Sequence, residues 1–298
     1  MFAGLEMISN RSAFPSPDRP VTSVITRSGA AAQVQELRLE QRSLLDLAGE
    51  GPFDHINSVG VLHHLARPEV GAVIVTHGTD TIEETAFLLQ TLLQPTKPVV
   101  LACAMRPATA VSPDGPQNLS DALAVARHPG AHGVVLVCAG RVHSAIDVAK
   151  VHAYRTDPFS SGDAGVLAVV EEGVLTVFRP WPSGSTLPQV LGPFLAAREL
   201  PRVVLLTGHA ADDAWTVQAL LQARPGLAGI AVAGVGNGSL HADLEAALRD
   251  AERQGVRVAL ATRCGGRVVP YPAQPFADRA GLSPVKTRLA LSLELLGA

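Results

Sequence analysis

The stretch Val73-Ile74-Val75-Thr76-His77-Gly78-Thr79-Asp80-Thr81-Ile82-Glu83-Glu84-Thr85-Ala86 decides how this chain reads. An apolar run stops at Thr76, and the hydroxyls of Thr79, Thr81 and Thr85 follow, interleaved with the carboxylates of Asp80, Glu83 and Glu84. A strand therefore ends and a polar loop begins. Thr81 with Glu84 three residues on fits a capping box, which opens a helix through Phe87-Leu88-Leu89. Capping accounts for Thr81 and Glu84 but leaves Thr79 and Asp80 without a structural role. In open parallel sheets ligands bind outside the carboxyl ends of strands, so this Thr-Asp pair lies where chemistry is usually done.

Working outward, short Val/Ile/Leu/Ala runs alternate with longer amphipathic segments: strands at 72–76, 98–103 and 133–138, helices at 82–93 and 118–127. That rhythm predicts βαβ units and a flavodoxin-like parallel sheet covered by helices. Residues 165–178 read instead as a β-hairpin turning at Glu171-Glu172-Gly173. The proline-rich stretch from Arg179 to Pro188 has little periodicity and marks a linker. The alternation then restarts, with strands at 202–206, 229–232 and 256–260 and helices at 212–223, 240–254 and 284–296. The division predicted is an N-terminal domain over 1–180, a linker over 181–200 and a smaller C-terminal α/β domain over 201–298. A chain of 298 residues is long enough for two cores.

Composition narrows the function classes. With 24 basic against 27 acidic residues, a net charge of −3 and no polybasic run, neither a nucleic-acid groove nor a membrane surface is indicated. No apolar stretch is long enough to span a bilayer, and the first residues lack a signal peptide's apolar region, so the chain reads as cytoplasmic. Cys103, Cys138 and Cys264 are odd in number and lack C-x-x-C spacing, which argues against a disulfide framework or a zinc site. Cys103 and Cys138 read as buried structural thiols. The histidines show no metal-ligand spacing, so neither a metal nor another cofactor is expected. No G-x-G-x-x-G or Walker loop supports a nucleotide site.

The central stretch resembles the second signature of the asparaginase/glutaminase family: a strand, HGTDT, EE and a helix. Further segments resemble family motifs in the family's order. They are Cys103-Ala104-Met105-Arg106-Pro107, Asp114-Gly115-Pro116-Gln117-Asn118-Leu119, Asp147-Val148-Ala149-Lys150, Ala233-Gly234-Val235-Gly236-Asn237-Gly238, and Gly281-Leu282-Ser283-Pro284-Val285-Lys286-Thr287-Arg288. The resemblance implies hydrolysis of L-asparagine to L-aspartate and ammonia by a threonine-based mechanism in which Thr79, Asp80 and Lys150 form a relay. It also implies a homodimer or homotetramer whose sites lie between subunits. By the same resemblance Asp80 contacts the substrate ammonium, and Ala104 and Met105 line the amide pocket. Gly78 lets backbone approach the ligand, Asp54 and His55 lie where a substrate-carboxylate loop belongs, and Asn237 to Ser239 reach a neighbour's site or form a plain turn. Asp114 reads as a turn former rather than a catalyst.

The first family signature, TGGT, is missing. With Ile8-Ser9 aligned to its end, Gly4, Leu5, Glu6 and Met7 occupy those positions, and methionine has no ionisable proton to serve as a nucleophile. The strand expected ahead of it is nearly absent. Ser9, Ser12 and Thr22 are the nearest hydroxyls. Two functions therefore compete: an amidohydrolase, and a catalytically silent amino-acid-binding homologue.

Overall fold

The computed structural model describes residues 61–183, 187–223, 226–272, 274–279 and 281–298, with the backbone of 3–4, 7–9 and 35–36. It divides into two compact units, Met1–Pro188 and Gln189–Ala298.

In the first unit the short strands β1 (Ala3–Gly4), β2 (Met7–Ser9) and β3 (Gln35–Glu36) come first, β1 pairing in parallel with β3. β4 (Val73–Thr76), β5 (Val99–Ala102) and β6 (Val134–Cys138) are parallel neighbours, and β2 adds to β4 in the register Met7 to Ile74, Ile8 to Val75 and Ser9 to Thr76. Met7–Ser9 takes the place beside β4 at the end of the sheet, beginning at the last position of the aligned Gly4-Leu5-Glu6-Met7 stretch rather than ahead of it. Beyond β6 the sheet turns antiparallel through β7 (Arg141–Ser144), β10 (Ala168–Glu171) and β11 (Val174–Val177), while β8 (Ala149–Lys150) pairs apart with β9 (Phe159–Ser160). The expected parallel sheet holds for the half carrying the signature motif. The antiparallel half begins at Ala139-Gly140, where φ angles of 53° and 70° reverse the chain in two residues. The predicted hairpin closes likewise over Glu172 and Gly173, at φ 50° and 75°.

Two helices cover this sheet, as its alternation requires. Val73, Val75, Val99, Leu101, Val134 and Leu136 face one side, where α1 (Ile82–Leu93) packs Ile82, Ala86, Leu89 and Leu93 at helical spacing. Ile74, Val100, Val135 and Val137 face the other, against Ala122, Val125 and Ala126 of α2 (Gly115–Arg127). Burial on both faces explains why these strands read as continuous apolar runs. α1 starts where expected, but Thr81 makes no side-chain capping hydrogen bond, so the reciprocal box is not formed.

The second unit repeats the design on a smaller scale. α3 (Leu191–Ala196) falls within the stretch expected as linker, because Val190 and Phe194 are apolar enough to be buried. β12 (Arg202–Thr207), β13 (Leu227–Gly234) and β14 (Arg257–Thr262) form a parallel three-stranded sheet. α4 (Trp215–Gln222) and α5 (Ala242–Arg253) cover one face through Val217, Leu244 and Leu248, and α6 (Pro284–Leu296) places Leu291 against Val203, Ala231 and Ala259 on the other. No helix among the described residues is long and apolar enough to cross a membrane.

Candidate active site

The polar loop after β4 stands at the carboxyl edge of the sheet. Its first residue, His77, donates its N–H to Ala102 O across to β5 at 2.9 Å. The buried His77 ring sits 2.7 Å from Gly78 O and 3.0 Å from Thr85 Oγ1, tying the loop to the first turns of α1. Thr79, half-buried, and Asp80, exposed, are presented just beyond this anchor.

Lys150 reaches them from β8. Its Nζ donates to Thr79 Oγ1 at 2.9 Å and to Asp80 Oδ1 at 2.7 Å. The lysine side chain is 15% exposed and that of Asp80 69% exposed, so one partner is sheltered and the other faces solvent. Its backbone is held from several sides. Lys150 N–H donates to Glu83 Oε1 at 3.4 Å, Val151 N–H donates to Pro158 O at 2.8 Å, and Asp147, three residues earlier, pairs with Arg179 at 3.0 Å. The hydrogen bond from Lys150, followed by its charge, holds the Asp80 carboxyl below its usual range, with a smaller contribution from Thr79. Nζ occupies a lone pair of Thr79 Oγ1, and that hydroxyl makes a long contact of 3.5 Å as donor to Asp80 Oδ1.

The predicted pocket segment is built around Asp114. Its two oxygens accept the N–H groups of Met105 and Arg106, each at 2.9 Å, which bends the chain after β5 and leaves Ala104 exposed at the edge. Asp114 is therefore a clamp for the segment rather than a group aimed at a ligand. Asn118, buried, donates to Cys103 O at 2.9 Å and accepts from Ala139 N–H at 2.8 Å, joining the ends of β5 and β6. Reading Asn118 only as part of a motif missed this brace, and Glu83 and Arg179 were missed as supports of Lys150. No local pattern marks partners so distant along the chain. Neither Gly78 nor Gly115 has a positive φ. At Gly115 a Cβ would lie 3.3 Å from that of Ala104, so close approach explains that glycine.

The other expected residues are placed as follows. Asp54 and His55 lie outside the described residues. Asn237 and Ser239 are exposed in the second unit, in a turn closed by mutual backbone hydrogen bonds between Val235 and Ser239. Both ends of the Asn237 amide are engaged by Val269, its Nδ2 donating to O at 2.9 Å and its Oδ1 accepting from N–H at 2.7 Å. Gly234 permits the fold-back, since a Cβ there would meet Gly238 backbone at 2.6 Å. Met7 stands within β2 opposite Ile74, and Ser9 is level with Thr76 at the edge. Cys103 and Cys138 are buried, and the neighbouring Cys138 together with burial raises the Cys103 thiol far above its usual range, keeping it protonated. No group of three His, Cys, Asp or Glu side chains among the described residues is placed to hold a metal ion.

Comparison with known proteins matches the same two units. Residues 20–183 match the family model described as Asparaginase, N-terminal, and residues 202–295 match the Glutaminase/Asparaginase C-terminal domain. L-asparaginase 2 of Bacillus subtilis is 36% identical over 240 residues, covering 78% of this chain and 63% of the relative. L-asparaginase 2 of Escherichia coli is 32% identical over 230 residues, covering 74% and 65%. The chain thus spans just under two thirds of the length of these relatives, whereas the glutaminase-asparaginase of Acinetobacter glutaminasificans is 33% identical over 277 residues, covering 89% and 79%. A crystal structure of a probable cytoplasmic L-asparaginase from Campylobacter jejuni superposes with a TM-score of 0.72 at 31% identity, covering 81% of this chain and 76% of that one. Two family models in order, and a lysine bridging the Thr-Asp pair of the signature loop, lead to one assignment: the chain belongs to the asparaginase/glutaminase family.

Proposed function

We propose that this protein is an asparaginase-type amidohydrolase that converts L-asparagine to L-aspartate and ammonia. The observation supporting this most directly is the Lys150 ammonium bridging Thr79 Oγ1 and Asp80 Oδ1 at 2.9 and 2.7 Å. Amide hydrolysis needs a nucleophile, a path for its proton, and anchors for the substrate ends. In the proposed reaction the attacking hydroxyl adds to the amide carbon, its proton passes through Thr79 to Lys150 acting as the neutral amine and on to the departing nitrogen, and the C–N bond breaks to leave an ester. Water then releases the carboxylate, and Asp80 keeps the lysine oriented while its exposed oxygen receives the substrate ammonium. Ala104 and Met105 border the amide, and Gly78 allows close approach of the backbone.

Ser9 is the leading candidate for the missing hydroxyl, because the β2–β4 register places its backbone beside Thr76 at the edge that carries Thr79. Assembly as a homodimer or homotetramer belongs to the same proposal. The Asn237 to Ser239 turn would serve a neighbour's site, with Asn237 fixing its shape and Ser239 exposed. The absence of TGGT favours a second reading, a silent binder of asparagine or aspartate. Ammonia release from asparagine, measured beside calorimetric binding of aspartate, separates the two. Release that is lost in Lys150→Met supports hydrolysis, binding without release establishes the silent homologue, and neither result rejects both.

A further inference from the structure

We propose that Asn237-Gly238 is a guarded deamidation site, kept intact by the clamp between the Asn237 amide and Val269. Of the four asparagines in the chain, Asn10, Asn57, Asn118 and Asn237, the last alone precedes a glycine. In such a pair no Cβ on the second residue shields its main-chain nitrogen, which can close on the asparagine side chain. The nitrogen gives its proton to solvent base and bonds to Cγ. The bond from Cγ to Nδ2 then breaks with release of ammonia, leaving a cyclic succinimide. Water opens that ring at Cγ to give aspartate, or at the main-chain carbonyl to give isoaspartate.

The fold of the second unit opposes the first step. Ring closure needs Cγ to swing onto Gly238 N in a near-attack geometry. Instead Nδ2 donates to Val269 O at 2.9 Å and Oδ1 accepts from Val269 N–H at 2.7 Å, so both ends of the amide are held against another segment. Gly238 is buried although Asn237 is exposed, which keeps solvent base from its N–H. The turn is closed around the pair by backbone hydrogen bonds of 2.9 and 2.8 Å between Val235 and Ser239, and Thr262 Oγ1 donates to Gly236 O. Packing also fixes the identity of the glycine, since a Cβ there, at φ 80°, would lie 3.0 Å from Leu260 and 3.1 Å from Val268. The weak point is Val269, exposed and outside any strand, with the buried Val268 as its anchor. Local opening of that segment frees the amide. Conversion then prevents reclosure, because aspartate sets a carboxylate oxygen against Val269 O and isoaspartate lengthens the main chain inside the turn. On the function proposed above a neighbour's site would lose this turn, but the readouts below do not need that reading.

The full chain is incubated at mildly alkaline pH in native buffer and in guanidinium chloride, digested with pepsin at acid pH, and read by peptide mass spectrometry for replacement of amide by acid. In denaturant Asn237 should convert ahead of Asn10, Asn57 and Asn118. In native buffer its conversion should be slower by about tenfold or more, since both hydrogen bonds must break before the ring closes. Val268→Ala, which loosens the anchor, should convert at a rate between these two while the Val269 N–H exchanges its hydrogen faster. Equal rates at Asn237 in the native and denatured chain overturn the guard, and so does a Val268→Ala rate equal to the native one despite faster exchange. Conversion of Asn237 in denaturant no faster than at the other asparagines overturns the site. If Val268→Ala does not fold, the comparison of native and denatured chain decides alone.

Discussion

Replacing Lys150 by Met separates what this side chain does for stability from what it does for chemistry. Methionine keeps most of the aliphatic stem but removes the hydrogen bond to Thr79 at 2.9 Å and the ion pair with Asp80 at 2.7 Å. Asp80 is 69% exposed, so water takes over its side of the pair. Such a pair contributes about 0–1 kcal/mol. Thr79, half-buried, also retains access to solvent. The fold should therefore lose roughly 1 kcal/mol, a fall in Tm of about 2–4 °C for a unit of this size. A positioned proton-transfer group is worth about 100- to 10,000-fold in rate. That corresponds to roughly 3–5 kcal/mol in the barrier, several times the stability cost. Ammonia release at saturating asparagine, measured beside thermal denaturation, resolves the two. A rate within tenfold of the unaltered protein on an intact fold would refute the relay, and a loss that merely follows unfolding would make Lys150 structural.

Three other expectations follow from particular contacts. The hydrogen bond and charge of Lys150 hold the Asp80 carboxyl below the usual carboxylate range. Its pairing with Lys150 thus stabilises the fold above the unfolded value and is lost only as pH falls through the lower folded value. Denaturation of the unaltered protein and Asp80→Asn from pH 7 to 3 should show a difference of at most about 1 kcal/mol that narrows only at the acid end, since the group is largely exposed; narrowing near pH 6 would assign the effect elsewhere. Asp114→Ala frees the N–H groups of Met105 and Arg106. It should destabilise the first unit by about 1–3 kcal/mol in urea denaturation and weaken aspartate binding, while Asp114→Asn, which keeps an acceptor, should be milder; a binding loss with no stability change in either variant would make Asp114 a ligand contact. Under native conditions at neutral pH, iodoacetamide should label Cys264, which is exposed, and spare Cys103 and Cys138, which are buried. Peptide mass spectrometry showing rapid labelling at Cys103 would contradict its protonated, enclosed state.

The sequence by itself determined the elements and their order. The spans 82–93 and 284–296 coincide with α1 and α6, because helical periodicity and flanking caps are set by neighbours three or four residues apart. Continuous apolar runs identified β4, β5 and β6, whose two faces are both covered. Motif order alone pointed to Thr79, Asp80 and Lys150. Only the tertiary structure decided the partnerships. Lys150 meets Thr79 across 71 positions, Asn237 meets Val269 across 32, and Asn118 braces Ala139 across 21. Such pairs leave no periodic trace, since which strand edge lies beside which is settled by long-range burial and register. The antiparallel turn from β6 to β7 was hidden for a related reason, whereas the β10–β11 hairpin was legible: that first reversal depends on Ala139 adopting a positive φ that alanine does not advertise. β2 was hidden as well, because three residues carry too little pattern to announce a strand until β4 offers them an edge to pair with.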